Sequence, residues 1–279
     1  MSRKVLHLIT GPTASGKTDL SIELATNLGS PIVSCDSRQI FKEMKIGTAP
    51  PDEDQLAAVP HYFIHSHSIF DGYTAGKYEI EAIALLEKLF ETGDNVVMVG
   101  GSGLYSDAVC YGMDDFPPPD EELRISLTER VKKEGVESLR KELKMMDPES
   151  YRQIDISNPQ RVVRALEVTL STGRPFSTYK SRRNKKRFFD VERINLEPDR
   201  DLLYDRINKR VDSMMERGLL DEARELYEYR DLPALKTVGY RELFSYLDGT
   251  VPLDRAVDLI KRNTRRYAKR QVTWFKKKS

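Results

Sequence analysis

Gly11-Pro12-Thr13-Ala14-Ser15-Gly16-Lys17-Thr18 follows directly on the apolar run Val5-Leu6-His7-Leu8-Ile9 and precedes a helical pattern from Asp19 to Leu28. Every constrained position of G-x-x-x-x-G-K-[ST] is met, in the strand–loop–helix context that the motif requires. The glycines let main-chain N–H groups turn inward around a phosphate. Lys17 supplies a point charge, Thr18 a metal-facing hydroxyl, and the helix N-terminus a partial positive charge. The loop is therefore expected to grip a di- or triphosphate. It leaves open what is done with it.

Outward from the loop, the first hundred residues alternate short apolar runs with longer amphipathic ones. Val5–Ile9, Pro31–Cys35 and Val96–Val99 read as strands, Lys17–Leu28 and Ala75–Glu91 as helices. In the second helix Ile80, Ile83, Ala84 and Leu86 stand at helical spacing as the expected buried face. Short apolar strands separated by helices predict a parallel sheet covered on both faces, with ligands at the carboxyl ends of the strands. That rule places the loop, Cys35-Asp36-Ser37 and Gly100-Gly101-Ser102 on one rim. Asp114-Asp115-Phe116-Pro117-Pro118-Pro119-Asp120 breaks the pattern and reads as an exit linker. Glu121 to Tyr179 is helical, Phe188–Leu196 alternates as a strand able to rejoin the sheet, and Asp199–Tyr229 and Leu253–Phe275 are helices again. The expected fold is α/β, a P-loop parallel sheet flanked by helices, with residues 1–113 and 188–279 as the core and 114–187 as a helical insertion domain.

The 279 residues carry a net charge of +1, with 32% charged and 39% hydrophobic. The small total hides segregation. Asp114 to Glu122 is acidic, Lys180 to Arg187 has six basic residues in eight, and Arg255 to Lys278 has ten Lys or Arg against the single acid Asp258. Such runs suit either a polyanion-binding surface or a solvated helix face with a basic tail. Two cysteines, Cys35 and Cys110, form no C-x-x-C pair, which fits a reducing compartment and argues against a zinc module. Met1-Ser2-Arg3-Lys4 runs straight into the first strand, and no apolar stretch reaches about eighteen residues. No signal peptide or membrane span is expected, and the cytoplasm is the expected location.

An ATPase or GTPase usually carries an acid at a strand end to hold magnesium. The run Val96–Val99 ends in Gly100-Gly101 instead, and the strand-end acid is Asp36. A carboxylate there suits a general base, a magnesium–water ligand or a helix N-cap. Arg161 and Arg164 share one helix face, as do Arg206 and Arg210. Paired guanidinium groups fit phosphate oxygens bidentately, or pair locally with Asp205, Glu167 or Asp212. His65-Ser66-His67 would put two imidazoles on one side of a strand, more in keeping with surface histidines than a metal site. Tyr227, Tyr229, Tyr240, Tyr246, Tyr267 and Trp274 lie among basic helices, as base-stacking groups or core.

Further segments join these: Ser34-Cys35-Asp36-Ser37-Arg38-Gln39-Ile40-Phe41, Gly47-Thr48-Ala49, Pro60-His61, Gly100-Gly101-Ser102-Gly103-Leu104-Tyr105, Asn158 to Glu167, Val238-Gly239-Tyr240-Arg241-Glu242 and Ala268-Lys269-Arg270-Gln271-Val272-Thr273-Trp274. In order and spacing the chain resembles the tRNA dimethylallyltransferase (tRNA isopentenyltransferase) family over nearly its whole length. The resemblance implies transfer of a dimethylallyl group from dimethylallyl diphosphate to N6 of adenosine 37, beside the anticodon of tRNAs that read codons beginning with U. The loop would hold the donor's diphosphate with Mg²⁺, Thr18 being the metal-facing residue. Thr13, Lys17 and Arg210 would stabilise the leaving group, and Asp36 would be the general base. Asp36, Ser37, Arg38, Gln39, Ser102, Gly103, Gln160, Arg161, Val162, Val163 and Arg164 are the implied tRNA contacts. The target base would leave its stack to reach the site.

Three features depart from the family pattern. Ser102 replaces the commoner threonine, Phe63-Ile64-His65-Ser66-His67 stands where an Ile-Asp pair is usual, and the chain ends soon after Trp274. The expectation is thus a monomeric, cytoplasmic prenyltransferase whose partners are the tRNA anticodon stem-loop and dimethylallyl diphosphate. An adenylate isopentenyltransferase, a P-loop small-molecule kinase and a nucleotide-binding RNA chaperone are the alternatives. The insertion and basic C-terminal helix disfavour the first of these, since a free nucleotide needs no extended basic surface.

Overall fold

The computed structural model describes residues 3–180 and 185–276. The chain divides into two compact units, Met1–Gly112 with Lys186–Ser279, and Met113–Lys185. The first unit opens with β1 (Val5–Thr10), α1 (Lys17–Leu28), β2 (Ile32–Ser34), α2 (Glu53–Ala58), β3 (His61–Tyr62), α3 (Ala75–Thr92), β4 (Asn95–Gly100) and α4 (Gly103–Tyr111). The second holds α5 (Glu121–Glu134), α6 (Glu137–Met146), α7 (Pro148–Gln153) and α8 (Pro159–Thr172). The chain then re-enters the first unit as β5 (Asp190–Asn195), α9 (Arg200–Glu216), α10 (Leu219–Glu225), α11 (Tyr240–Leu247) and α12 (Leu253–Lys276).

The sheet is parallel throughout, in the order β3-β2-β4-β1-β5, with Val5 of β1 beside Asn95 of β4 and Asp190 of β5. Leu6, Leu8 and Ile9 of β1 are all fully buried, as a strand covered on both faces requires. Each contributes about 2 kcal/mol of hydrophobic stabilisation. Because the strands run the same way, the phosphate loop, Cys35-Asp36 and Gly100-Gly101 all leave the sheet at one edge. Three glycines at the end of β4 stand where a Cβ would be crowded. A Cβ on Gly100 would lie 2.6 Å from Cys35 Sγ, and one on Gly101 or Gly103 would fall on the Gln271 amide or the Trp274 indole. Helix α12 therefore closes this part of the rim.

A buried carboxylate fixes a second part. Glu222 Oε2 accepts the N–H groups of Lys45 and Ile46 at 2.8 and 2.7 Å. Its Oε1 accepts Gly47 N–H at 2.9 Å and the Tyr240 hydroxyl at 2.6 Å. Tyr240 packs so closely on Gly47 that a Cβ there would lie 2.6 Å from its hydroxyl oxygen.

The second unit packs Leu127, Leu139, Leu143, Val162, Val163, Ala165 and Leu166 into its own core. At its centre the fully buried Glu167 pairs with Arg124 at 2.8 Å and Arg164 at 2.6 Å.

Several local expectations are corrected. The buried face of α3 is Ala75, Tyr78, Glu79, Ala82, Leu86 and Phe90, whereas Ile80 is 73% exposed and Ala84 also faces solvent. The single helix expected over 199–229 is two, because Gly218 takes a left-handed φ of 96° between α9 and α10. His65 and His67 do not share a strand side: β3 ends at Tyr62, and Phe63 and His65 have positive φ. Arg187 is not part of a solvated basic face. It donates to Val109 O and Ala108 O and pairs with Glu79, each at 2.7 Å. Ser181, Arg182, Arg183 and Asn184 of that run, with Met1, Ser2, Lys277 and Lys278, lie outside the described residues. Among the described residues no helix is long and apolar enough to cross a membrane.

Glu222→Ala strands three N–H groups and a phenol, and is expected to destabilise the protein by about 3 kcal/mol. A thermal melt with an unchanged midpoint would contradict that role.

Candidate active site

The phosphate loop runs from β1 into α1. Lys17 Nζ donates to Pro12 O at 2.6 Å, and Arg210 Nη1, from α9, donates to Thr13 Oγ1 at 3.3 Å. Ser15 Oγ is buried without a hydrogen-bond partner. Burial lowers the Lys17 pKa to about 8, with Asp36 opposing and Arg210 adding to the shift. Burial likewise lowers the Arg210 pKa, against the pull of Asp19. Among the described residues no carboxylate lies within ion-pair distance of either cation. Two partly desolvated cations, an orphaned hydroxyl and a helix N-terminus converge here, which is the donor set of an anion site.

Asp36 follows β2 and forms a local turn. Its Oδ1 accepts the N–H groups of Arg38 and Gln39 at 2.8 and 3.3 Å. The Gln39 side chain donates onward to Thr48 O and Ala49 O, directly after the residues 45–47 that Glu222 holds. Oδ2 of Asp36 accepts no hydrogen bond among the described residues. Asp36 and the loop line one cavity of about 730 Å³. Lys17, Arg38, Arg210, Arg217, Lys236, Arg241 and Arg270 line it too, against the acids Asp19, Asp36 and Asp52. The excess of cations suits a ligand with more negative charge than one diphosphate.

Helix α12 supplies one wall. Tyr267, Gln271 and Trp274 fall along one stripe at i, i+4 and i+7. Burial and the neighbouring Asp36 push the Tyr267 pKa up to about 12, so its hydroxyl keeps its proton. Gln271 donates to Gly101 O at 2.7 Å and accepts Thr13 N–H at 2.9 Å. Trp274 is 39% exposed and donates from its ring to Asp107 at 3.0 Å.

The structure thus brings Thr13, Ala14, Ser15, Gly16, Lys17, Thr18, Asp36, Ser37, Arg38, Gln39 and Arg210 to one cavity. Ser102 and Gly103 stand at the start of α4. Val162 and Val163 lie in the core of the second unit, so a contact with RNA from these two positions is confined to main chain. Arg164 is engaged by Glu167, by Pro117 O at 3.2 Å and by the Phe116 ring, which is the local pairing rather than a free phosphate fork. Gln160 and Arg161 are exposed. Arg206 is exposed and does not line the cavity, so the pair with Arg210 is split. Tyr240 is core. Arg217 and Lys236 carry no signal in the sequence, and Arg241, Arg270 and Gln271 stand there only as members of longer segments with no role of their own. For Gln271 the available signal was an amide within the buried stripe Ala268, Gln271 and Phe275 of an otherwise cationic helix.

A parallel sheet with this loop after β1 and an acid after β2, two strands away across β4, defines a P-loop fold built around an anionic ligand. The family model described as IPP transferase matches residues 39–278, and the chain belongs to that family. It is 51% identical to a tRNA dimethylallyltransferase of Christiangramia forsetii, over 99% of this chain and 91% of that protein. A second relative, tRNA dimethylallyltransferase 1 of Bacteroides fragilis, is 47% identical over 99% and 92% of the two chains. Among solved structures, the tRNA isopentenylpyrophosphate transferase of Bacillus halodurans superposes with a TM-score of 0.71 at 39% identity, covering 100% of this chain and 88% of that one. A eukaryotic dimethylallyltransferase described as acting on tRNA gives 0.80 at 27% identity, covering 97% and 69%.

The Lys17 pKa near 8 sets a pH dependence. An anion favours protonated Lys17, so the advantage of wild type over Lys17→Met in binding inorganic diphosphate is full below about pH 8 and shrinks above it. Calorimetry from pH 7 to 9.5 checks this. An advantage that stays constant, or grows, would contradict it.

Proposed function

We propose that this chain is a tRNA dimethylallyltransferase, transferring a dimethylallyl group from dimethylallyl diphosphate to N6 of adenosine 37 beside the anticodon. One observation carries the reading: the phosphate loop and Asp36 line the same cavity, while the strand end that would bear the acid of a phosphoryl-transfer enzyme is closed by Cys35, Gln271 and Trp274. The phosphates are then the leaving group. As the allylic C1–O bond breaks, its electron pair goes to the diphosphate. Lys17, Arg210 and the loop N–H groups meet that charge where it develops, without reorganising. The lone pair on N6 forms the new C–N bond.

An adenine amine is too weak an acid to lose its proton to a carboxylate beforehand. Asp36 Oδ2 therefore orients the amine first and takes its proton during or after bond formation. The Oδ1 contacts to Arg38 and Gln39 N–H hold the carboxylate in place. Mg²⁺ would sit at the Thr18 hydroxyl and neutralise the diphosphate. Among the described residues no cluster of three His, Cys, Asp or Glu side chains is arranged to hold a metal, so substrate oxygens and water would complete its shell. Arg38, Lys236, Arg241 and Arg270 fit the RNA phosphates, and Ser102, Gly103, Gln160 and Arg161 are further candidates for tRNA contact. The working form is a cytoplasmic monomer.

Labelled dimethylallyl diphosphate is offered with unmodified tRNA, with AMP, and with ATP plus candidate acceptors. Label is expected in tRNA alone; label in AMP but not tRNA would sink the reading. Asp36→Ala is expected to lower transfer about a hundredfold or more while donor binding persists. Near-normal turnover would remove Asp36 as the base.

A further inference from the structure

Gln271 lies 258 residues from the phosphate loop yet makes one of its main-chain hydrogen bonds. Its side chain is 6% exposed and uses both ends. The carbonyl accepts Thr13 N–H at 2.9 Å, and the amide donates to Gly101 O at 2.7 Å. The second bond fixes which end faces the loop, because only the amide nitrogen donates. Gly101 carries no Cβ, and one built there would collide with that nitrogen.

The first bond acts on the loop. Thr13 N–H is directed toward α12, and the Thr13 hydroxyl meets Arg210 Nη1 at 3.3 Å. Among the described residues Arg210 has no carboxylate at ion-pair distance, Asp19 acting on it only from further off, so Thr13 is the partner that places its guanidinium at the loop. The path runs from Gly101 through Gln271 and Thr13 to Arg210, each link a hydrogen bond.

We propose that Gln271 is a positioning residue for the reaction: by anchoring Thr13 to the end of β4 it sets the Thr13–Arg210 pair against the departing diphosphate. This rests on the reading that the loop holds the diphosphate donor. Gln271 touches no reacting atom in this account. Its effect is to keep a buried cation aimed where charge develops, since a small misplacement of such a group is costly to the rate.

The test is a double-mutant cycle on the full chain, with kcat and KM for dimethylallyl diphosphate measured at saturating tRNA. Gln271→Met keeps the side-chain volume and removes both bonds; Thr13→Val removes the hydroxyl that Arg210 meets. Each single change is expected to lower kcat/KM about tenfold, mostly in kcat. The double variant is expected near the singles, about tenfold to thirtyfold down, because both break the same path. The Kd of each variant for tRNA, measured by fluorescence anisotropy, is expected to stay within about twofold of wild type. A double variant about a hundredfold down, the product of the singles, would overturn the proposal, as would wild-type kcat/KM in Gln271→Met. Loss of tRNA affinity in step with activity would also overturn it, showing that the residue only holds the fold. A wild-type protein that moves no label to tRNA would instead defeat the functional reading beneath it.

Discussion

The end of β4 is the constraint on which the site depends. Gly100, Gly101 and Gly103 have no space for a Cβ, because Cys35, Gln271 and Trp274 occupy it. Their absence lets α12 lie against the rim and bring Tyr267 and Gln271 to the same cavity as the loop. The same crowding leaves no room for an acidic side chain at this strand end, where phosphoryl-transfer enzymes of this fold hold magnesium. The carboxylate at the end of β2, the strand paired with β4, is Asp36, and its Oδ1 accepts main-chain N–H groups.

Charge inside the cavity follows the same logic. Lys17 and Arg210 are desolvated cations with no carboxylate at ion-pair distance among the described residues, only the longer-range pull of Asp36 and Asp19, which is unfavourable in the protein alone. Such an arrangement is explained by an anion that neutralises both at once. Glu222 does comparable work with main chain: one carboxylate gathers the N–H groups of residues 45–47, and Gln39 ties the next two residues, Thr48 and Ala49, to the Asp36 turn. Donor side and acceptor side are thereby each held by a buried polar group remote in sequence.

What could be read from the sequence was what local chemistry dictates. A phosphate loop needs its residues contiguous, so Gly11 to Thr18 announced itself, and buried parallel strands show as unbroken apolar runs. The α3 face was misjudged because two overlapping stripes satisfy the helical period, and only packing selects Tyr78, Ala82, Leu86 and Phe90. Arg164 reads either as a phosphate ligand or as a local partner of Glu167, and only the buried position of Glu167 in the fold decides for the pairing. Gln271 stands only inside a family segment and Glu222 carries no signal in the sequence, since their partners lie in distant segments that no spacing rule connects. The split of Arg206 from Arg210 has the same origin: helical spacing places two side chains on a face, and only the tertiary fold decides which one enters the cavity.

The central claim is that the loop holds what the reaction discards. Dimethylallyl diphosphate carrying ¹⁸O at the bridging position between carbon and phosphorus tests it directly. After transfer to tRNA, ³¹P nuclear magnetic resonance of the released diphosphate should show the isotope shift of a retained ¹⁸O, because carbon–oxygen cleavage leaves that oxygen on phosphorus. Release of unlabelled diphosphate together with ¹⁸O-labelled dimethylallyl alcohol, and no dimethylallyl group transferred to tRNA, would mean that water attacks phosphorus and the phosphorus–oxygen bond breaks, and would contradict the account.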